Sequence, residues 1–133
     1  SGFHLARFGG GCPRWRLHDV FAQPDRILTQ IVETPDEQAY LTMARAVPRP
    51  GDGLNLGDGR LALGLGCALE HADEVVYADA YHLKDPAART PIGVGCRLCE
   101  RPDCAQRAFP PLGRSIEAAD HVRTVSPIPF AAT

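Results

Sequence analysis

The sequence lacks the features that mark several classes of protein. No apolar run approaches the length of a transmembrane helix, and no secretory signal peptide is visible, so we expect a cytoplasmic protein without a membrane span. Neither sign of charge is in excess. The formal net charge is −2, which gives no electrostatic indication that this chain itself binds nucleic acid. An initiator Met is missing, and we expect that a larger protein has been trimmed.

The common catalytic motifs are also missing. The sequence contains no G-x-S-x-G, P-loop, G-x-G-x-x-G or H-E-x-x-H motif. Gly64-Leu65-Gly66 lacks the third glycine of a dinucleotide-binding loop, and no side-chain pattern resembles a nucleophile beside a base. We therefore predict that the chain is not an enzyme.

Length and patterning predict one small α+β domain over residues 1–133. The 13 glycines and 12 prolines favour short elements joined by many turns. The expected fold is a GAF/PAS-like domain with an antiparallel sheet, flanking helices and a cysteine-rich C-terminal loop. The patterning predicts a helix over 14–23, strands over 26–33 and 39–47, a loop over 48–59, a strand over 60–66, a helix over 67–76, alternatively a strand over 76–83, and a short helix over 103–109.

The strongest functional signal is a run of three cysteines near the C-terminus. Cys96, Cys99 and Cys104 have the spacing C-x2-C-x4-C, and three such close thiols cannot all form disulfides with one another. The total of five cysteines is odd, which argues against a secreted disulfide scaffold. Clustered thiolates are the ligands that zinc and iron–sulfur clusters require. The run therefore predicts a metal site that needs one more ligand.

Two cysteines elsewhere are candidates for that fourth ligand. Cys67 is expected at the start of a helix, where the N-terminal dipole stabilises a thiolate, and we favour it. Cys12, between three glycines and Pro13, is the alternative. His71 lies four residues after Cys67 and offers a zinc ligand on the same helical face, although a lone His on a helix is more often not a ligand.

The surroundings of the run favour iron–sulfur over zinc. A zinc ribbon needs two C-x2-C knuckles, whereas this chain has one. Arg97, Arg101 and Arg107 would offset the negative charge of a cluster bound by four thiolates. A site without metal, in which these cysteines are small buried residues, is the less favoured interpretation.

A second candidate site follows the glycine loop. Arg14 and Trp15 combine a cation with an aromatic ring, a pairing suited to a nucleotide or another phosphate-bearing ligand. Tyr77 lies on the alternative strand and could line a pocket. Packing explains Trp15 equally well, and for Tyr77 packing is the favoured interpretation.

Several segments together resemble one family, the C-terminal domain of short-chain fatty-acyl transcriptional regulators, which include activators of propionate and methylcitrate catabolism. The resemblance covers nearly the whole chain. The segments that carry it are Gly11-Cys12-Pro13-Arg14-Trp15, Gly64-Leu65-Gly66-Cys67, Val76-Tyr77-Ala78-Asp79 and the block CRLCERPDCAQRAFPP over residues 96–111.

The resemblance implies a sensor domain with a GAF-like fold, a 4Fe-4S cluster and a short-chain acyl-CoA effector, in a regulator that works as a homodimer. It also implies that DNA is contacted through an N-terminal helix-turn-helix domain absent from this chain. A zinc-stapled interaction module and a cluster-dependent electron-transfer protein are the alternatives.

Overall fold

The computed structural model describes residues 11–49, 59–117 and 123–131. The chain, expected to be one domain, divides into two compact units. We call Trp15–Pro91 the sheet unit, and Ser1–Arg14 together with Ile92–Thr133 the cysteine unit. The predicted loop over 48–59 lies almost entirely outside the described residues.

A four-stranded sheet organises the sheet unit. Its strands are β1 (Leu28–Glu33), β2 (Ala39–Pro48), β3 (Arg60–Ala68) and β4 (Arg89–Pro91), in the order β3-β2-β1-β4. The predicted hairpin is confirmed, because β1 and β2 pair antiparallel with Ile31 opposite Leu41. The expectation of a wholly antiparallel sheet is wrong, because β4 runs parallel to β1. The sheet is therefore mixed.

The helices of the described residues are all short 3₁₀-helices. They are η1 (Arg16–Phe21), η2 (Leu69–Glu74), η3 (Val76–Ala80), η4 (Pro86–Ala88) and η5 (Cys96–Leu98). The helix predicted over 14–23 thus shrinks to six residues, and the helix predicted over 103–109 does not form. Such short elements suit a chain rich in proline and glycine.

The segment after β3 differs most from the prediction. The backbone amides of Val75, Ala78 and Tyr81 donate to the carbonyl oxygens of residues 72, 75 and 78, at 2.9–3.0 Å. This period of three gives η2 and η3, so the predicted strand over 76–83 is wrong. It also turns Ala72 and Ala78 inward, where both are buried against Ile31 and Leu41. Ala72 and Ala78 are six residues apart, so both fall on the same side of a helix that repeats every three residues.

Apolar packing is concentrated in the sheet unit. One cluster joins Ile31 and Leu41 to η2 and η3, and a second joins Val20 of η1 to the strand residues Leu28, Ala44 and Ala46. The largest fully buried side chains of the described residues, Ile31, Leu41, Val20 and Val32, all belong to this unit.

The cysteine unit has little regular structure in its described part. Ile116 and Phe130 form an isolated antiparallel bridge, and the Glu117 amide donates to the Pro129 carbonyl oxygen at 3.0 Å. Its buried residues include Cys12, Cys104, Arg107 and Ser126, with Ile92 as the large aliphatic side chain among them. Polar and sulfur-bearing groups therefore form much of the described interior of this unit.

No helix of the described segments is long and apolar enough to cross a membrane.

Candidate metal centre

The first two cysteines of the run are held in one tight turn. Cys96 opens η5, and the Cys99 amide donates to the Cys96 carbonyl oxygen at 3.3 Å. Residues i and i+3 of a 3₁₀ turn eclipse one another, so the two cysteines leave the turn on the same side. The C-x2-C spacing therefore produces the local geometry that a shared metal ligand pair needs.

The sulfur atoms of both residues have close neighbours. The backbone amide of Ala108 points at Cys96 Sγ, with 3.4 Å between nitrogen and sulfur. A Cβ atom on Gly93 would lie 2.9 Å from both Cβ and Sγ of Cys99, which no ordinary side chain tolerates. The Ala108 amide thus gives Cys96 Sγ a hydrogen-bond donor, and the absence of a side chain at Gly93 provides the space that Cys99 occupies.

The remaining cysteines of the cysteine unit are buried. Cys104 is 9% exposed, and its carbonyl oxygen accepts a hydrogen bond from the Arg107 amide at 3.2 Å. Cys12 is 8% exposed and belongs to the same compact unit as the run. All five cysteines of the chain are free thiols. Four of them, Cys12, Cys96, Cys99 and Cys104, thus share one unit.

Cys67 occupies a different setting from the one predicted. It lies in β3, opposite Leu41 of β2, and not at the start of a helix. It packs against the apolar cluster around Ile31 and Leu41 in the sheet unit. The expected stabilisation of its thiolate by a helix dipole is therefore wrong, because the strand continues through Ala68. The pairing of Cys67 with His71 on one helical face fails for the same reason.

Arg107 is the side chain that organises the cysteine run. Its guanidinium donates four hydrogen bonds to backbone carbonyl oxygens, from Nη1 to Cys96 and Phe109 at 3.1 Å each, and from Nη2 to Cys99 at 3.0 Å and Arg101 at 2.6 Å. The residue is 3% exposed. A single planar group thus connects both cysteines of the turn to the backbone on either side of Cys104.

The other arginines of the run have different roles. Arg97 is exposed and lies over the ring of Phe109, with 4.7 Å from its Cζ atom to the ring centroid. Arg114, beyond the run, pairs with Glu100 at 3.0 Å. The sequence suggested a general cationic environment around the cysteines, whereas the structure assigns the backbone contacts to Arg107.

The residues predicted to bind an effector are spread over both units. Arg14 ends the N-terminal part of the cysteine unit, and Trp15 precedes η1 in the sheet unit; both are half-buried. Tyr77 lies in η3 and is 39% exposed. None of the three lines the cavity of about 650 Å³ that the sheet unit contains.

Four regions border that cavity: the start of β2, the end of β3, η2 and the segment before β4. Its walls combine the apolar side chains of Leu69 and Leu83 with charged groups. The charged residues of its lining are Glu37, Glu70, Asp73, Lys84 and Arg89. Arg89 is already paired with Glu33 at 3.1 Å, so Lys84 is the cation of the lining that has no ion-pair partner within the described residues.

The donor set fits a thiophilic metal or an iron–sulfur cluster, since four free thiols share one unit and an amide already points at one sulfur. The described positions do not form a closed cage. Within residues 11–49, 59–117 and 123–131, no three Cys, His, Asp or Glu side chains are arranged so that they could hold a metal ion. Metal binding would therefore draw the thiols closer together than they lie here.

Comparison with known proteins identifies the family. The sequence profile described as "Short-chain fatty acyl coenzyme A regulator, C-terminal" matches residues 1–128. The chain belongs to this family. The resemblance seen in the cysteine block is thereby confirmed.

Relatives of this short-chain fatty acyl-CoA regulator domain are transcriptional regulators. The chain is 46% identical over 129 residues to the HTH-type transcriptional regulator RamB of Mycobacterium tuberculosis, covering 96% of this chain and 27% of RamB. It is 44% identical over 125 residues to the propionyl-CoA carboxylase regulator of Cereibacter sphaeroides, covering 94% of this chain and 27% of that protein. These names describe regulators and not enzymes, in agreement with the absence of catalytic motifs from the sequence.

A solved structure has the same fold. The chain matches a Mycobacterium tuberculosis transcriptional regulator with a TM-score of 0.82 and 42% identity, over 96% of this chain and 39% of that one. The α+β class predicted from the sequence is confirmed at this level. The chain spans about a quarter of the length of the two regulators named above.

Proposed function

We propose that this chain is the effector-sensing domain of a cytoplasmic homodimeric transcription factor that binds a short-chain acyl-CoA and holds a 4Fe-4S cluster in its cysteine unit. The family match over residues 1–128 carries the regulatory part of the proposal. DNA contact belongs to a helix-turn-helix domain outside this chain, as the names of the relatives suggest. The GAF-like assignment is part of this proposal and is supported by the four-stranded sheet with its antiparallel hairpin.

The composition of the cysteine unit supports a metal centre. Among the buried residues of its described part, Ile92 is the large aliphatic side chain, and the others include Cys12, Cys104 and Arg107. Units of this kind gain stability from a metal that crosslinks distant segments. Bound there, a cluster would supply such a crosslink and a redox-active group at once.

We propose Cys12, Cys96, Cys99 and Cys104 as the ligands. Cys12 replaces the Cys67 favoured from the sequence, because it belongs to the same compact unit as the run. Cys67, in contrast, is engaged in the packing of the sheet unit and lacks the helix terminus that recommended it. Unit membership and burial thus both favour Cys12.

Two locations are proposed for the acyl-CoA effector. The first involves Trp15 and Tyr77 of the sheet unit, two of the residues predicted from the sequence. The second is the cavity of about 650 Å³, where Leu69 and Leu83 suit an acyl chain and Lys84 suits a phosphate. The acidic residues of the cavity lining oppose a polyphosphate, so the second location fits the acyl end better than the nucleotide end.

Calorimetric titration with acetyl-CoA, propionyl-CoA and free CoA tests the effector. We expect heat from at least one acyl-CoA and weaker binding of free CoA. If no acyl-CoA produces heat or a thermal shift, the effector proposal is wrong. Variants then separate the two locations, since Tyr77→Ala weakens binding at the first and Lys84→Glu weakens binding at the second.

Anaerobic purification followed by metal and sulfide analysis tests the cluster. We expect four iron and four sulfide per chain, with the broad visible absorbance of an iron–sulfur centre, as for thiolate-bound cubanes in general. If the same preparation contains zinc but no iron or sulfide, the cluster proposal is wrong and the site binds zinc instead.

A further inference from the structure

Arg107 is buried yet has no acidic partner in the described part of the chain. Every described ion pair involves other residues, and the four acceptors of its Nη atoms are neutral carbonyl oxygens. The Cζ atom of Arg107 lies 4.8 Å from the centroid of the Phe130 ring, and the Nε atom of Arg107 has no hydrogen-bond partner. A buried guanidinium compensated only by dipoles and an aromatic face is costly, because a desolvated cation favours a nearby anion.

The cysteine turn supplies the groups that become negative. Arg107 holds the backbone of Cys96 and Cys99, so its cation lies in the part of the unit where thiolates form. Metal binding by thiolates leaves a net negative charge on the site. The buried cation and a pair of metal-bound thiolates are therefore complementary in charge.

The shape of the guanidinium matters as well as its charge. Its two Nη atoms point in fixed directions within one plane, and each donates to two carbonyl oxygens. These carbonyls belong to the turn that carries Cys96 and Cys99 and to the backbone before and after Cys104. A lysine ammonium is a single point with three N–H groups and cannot donate to all four oxygens.

We propose that Arg107 is the positioning residue of the metal centre: it fixes the backbone that presents Cys96 and Cys99, and its positive charge offsets the charge of the thiolate-bound site. This proposal rests on the proposed metal site for its charge part, and on the described hydrogen bonds alone for its positioning part. Arg107 acts through the cysteines and is not itself a ligand.

Cobalt(II) binding to the purified chain provides the first test. Thiolate-to-cobalt absorbance reports both the affinity and the number of sulfur ligands. We expect Arg107→Lys and Arg107→Met each to weaken binding by about 10–100-fold, the range typical for residues that orient metal ligands. We also expect both to lose sulfur-to-metal intensity at saturation. Arg97→Met, which removes an exposed arginine of the same run, should bind within about twofold of the unaltered chain, since exposed charges contribute little.

The conservative variant separates positioning from charge. If Arg107→Lys binds cobalt with the affinity and absorbance of the unaltered chain, a positive charge at this position is enough for metal binding, and the positioning role is wrong. If Arg107→Met binds cobalt as tightly as the unaltered chain, both parts of the proposal are wrong. Circular dichroism and exchange of the β1–β2 amides establish that the sheet unit stays folded in each variant.

Amide hydrogen exchange of the metal-free chain is the second test and does not depend on the metal site. We expect faster exchange at Leu98 and Cys99 in both Arg107 variants, and unchanged exchange there in Arg97→Met. Unchanged exchange in the Arg107 variants overturns the positioning role. If the unaltered chain binds no cobalt, the proposed metal site is wrong. If amide exchange at Leu98 and Cys99 is nevertheless faster in the Arg107 variants, Arg107 still positions the backbone of the cysteine turn.

Discussion

Gly93 and Cys99 approach each other so closely that the position opposite the cysteine tolerates only a glycine. A Cβ atom on Gly93 would lie 2.9 Å from Cys99 Sγ, well inside van der Waals contact. Gly93 is itself buried, so its backbone has little room to move away from the half-buried Cys99.

Gly93→Ala tests this close approach. We expect overpacking to lower the free energy of unfolding by about 1–3 kcal/mol, measured by urea denaturation without metal. Gly66→Ala is the matched control, because its Cβ would meet Leu41 O and Thr42 Cγ2 at an ordinary 3.4 Å. Equal denaturation midpoints for Gly93→Ala and the unaltered chain would show that Cys99 does not occupy that space.

The choice of fourth ligand is tested by paired serine substitutions. We expect Cys12→Ser to lose iron after anaerobic reconstitution, because serine does not replace a thiolate at a soft metal. Cys67→Ser should keep the full iron and sulfide content, since Cys67 packs in the sheet unit. The reverse result, iron lost from Cys67→Ser and kept by Cys12→Ser, would return the fourth ligand to Cys67.

Leu41→Ala tests the core of the sheet unit. Leu41 is fully buried, and truncating such a side chain costs about 2–5 kcal/mol of unfolding free energy. Leu65→Ala, on the neighbouring strand, removes a side chain that is 72% exposed and should change stability by less than about 0.5 kcal/mol. Urea denaturation followed by circular dichroism measures both; a Leu65→Ala cost as large as that of Leu41→Ala would contradict the described packing.

Tyr81→Phe tests the link between β1 and the segment after η3. The Tyr81 hydroxyl and Thr29 Oγ1 form a hydrogen bond of 2.8 Å, and its loss should cost about 0.5–1.5 kcal/mol. Tyr77→Phe removes a hydroxyl from a more exposed tyrosine and should be close to neutral. Thermal unfolding of the two variants provides the comparison, and identical midpoints would argue that the hydrogen bond contributes nothing net.

The sheet was predictable where the sequence carries strand patterning. The Ile, Leu and Val content of residues 26–33, followed by the turn Thr34-Pro35-Asp36-Glu37, led to the correct β1–β2 hairpin. The parallel strand β4 was missed, because Arg89–Pro91 is only three residues long and contains a proline. No local pattern distinguishes such a strand from a loop, since its pairing with Ile31 is a long-range contact.

The segment from Cys67 to Tyr81 shows why helix type was misjudged. The spacing of its apolar residues fits a helix or a strand equally well, whereas the structure has successive 3₁₀ turns that bury Ala72 and Ala78. Alanines give a weak hydrophobic signal, so the period of three is hard to recognise before the core is known. The helix-based argument for Cys67 failed as a direct consequence.

The cysteine run was predictable in composition but not in organisation. Its spacing alone indicated a metal site, while three nearby arginines were equivalent in the sequence. Burial separates them, because Arg107 is enclosed and Arg97 is exposed. The backbone carbonyls that Arg107 contacts carry no sequence signal, so the sequence could not single out that residue.

The convergence of four carbonyl oxygens on Arg107 limits how this segment can evolve. The acceptors span residues 96 to 109, and the reach of one guanidinium therefore fixes the number of residues between them. Insertions or deletions within this stretch would displace an acceptor, whatever residue was added or lost. Pro102, Asp103, Ala105 and Gln106 are exposed and their side chains can vary. The contacts of Arg107 consequently constrain the length of this segment more than the identity of its exposed residues.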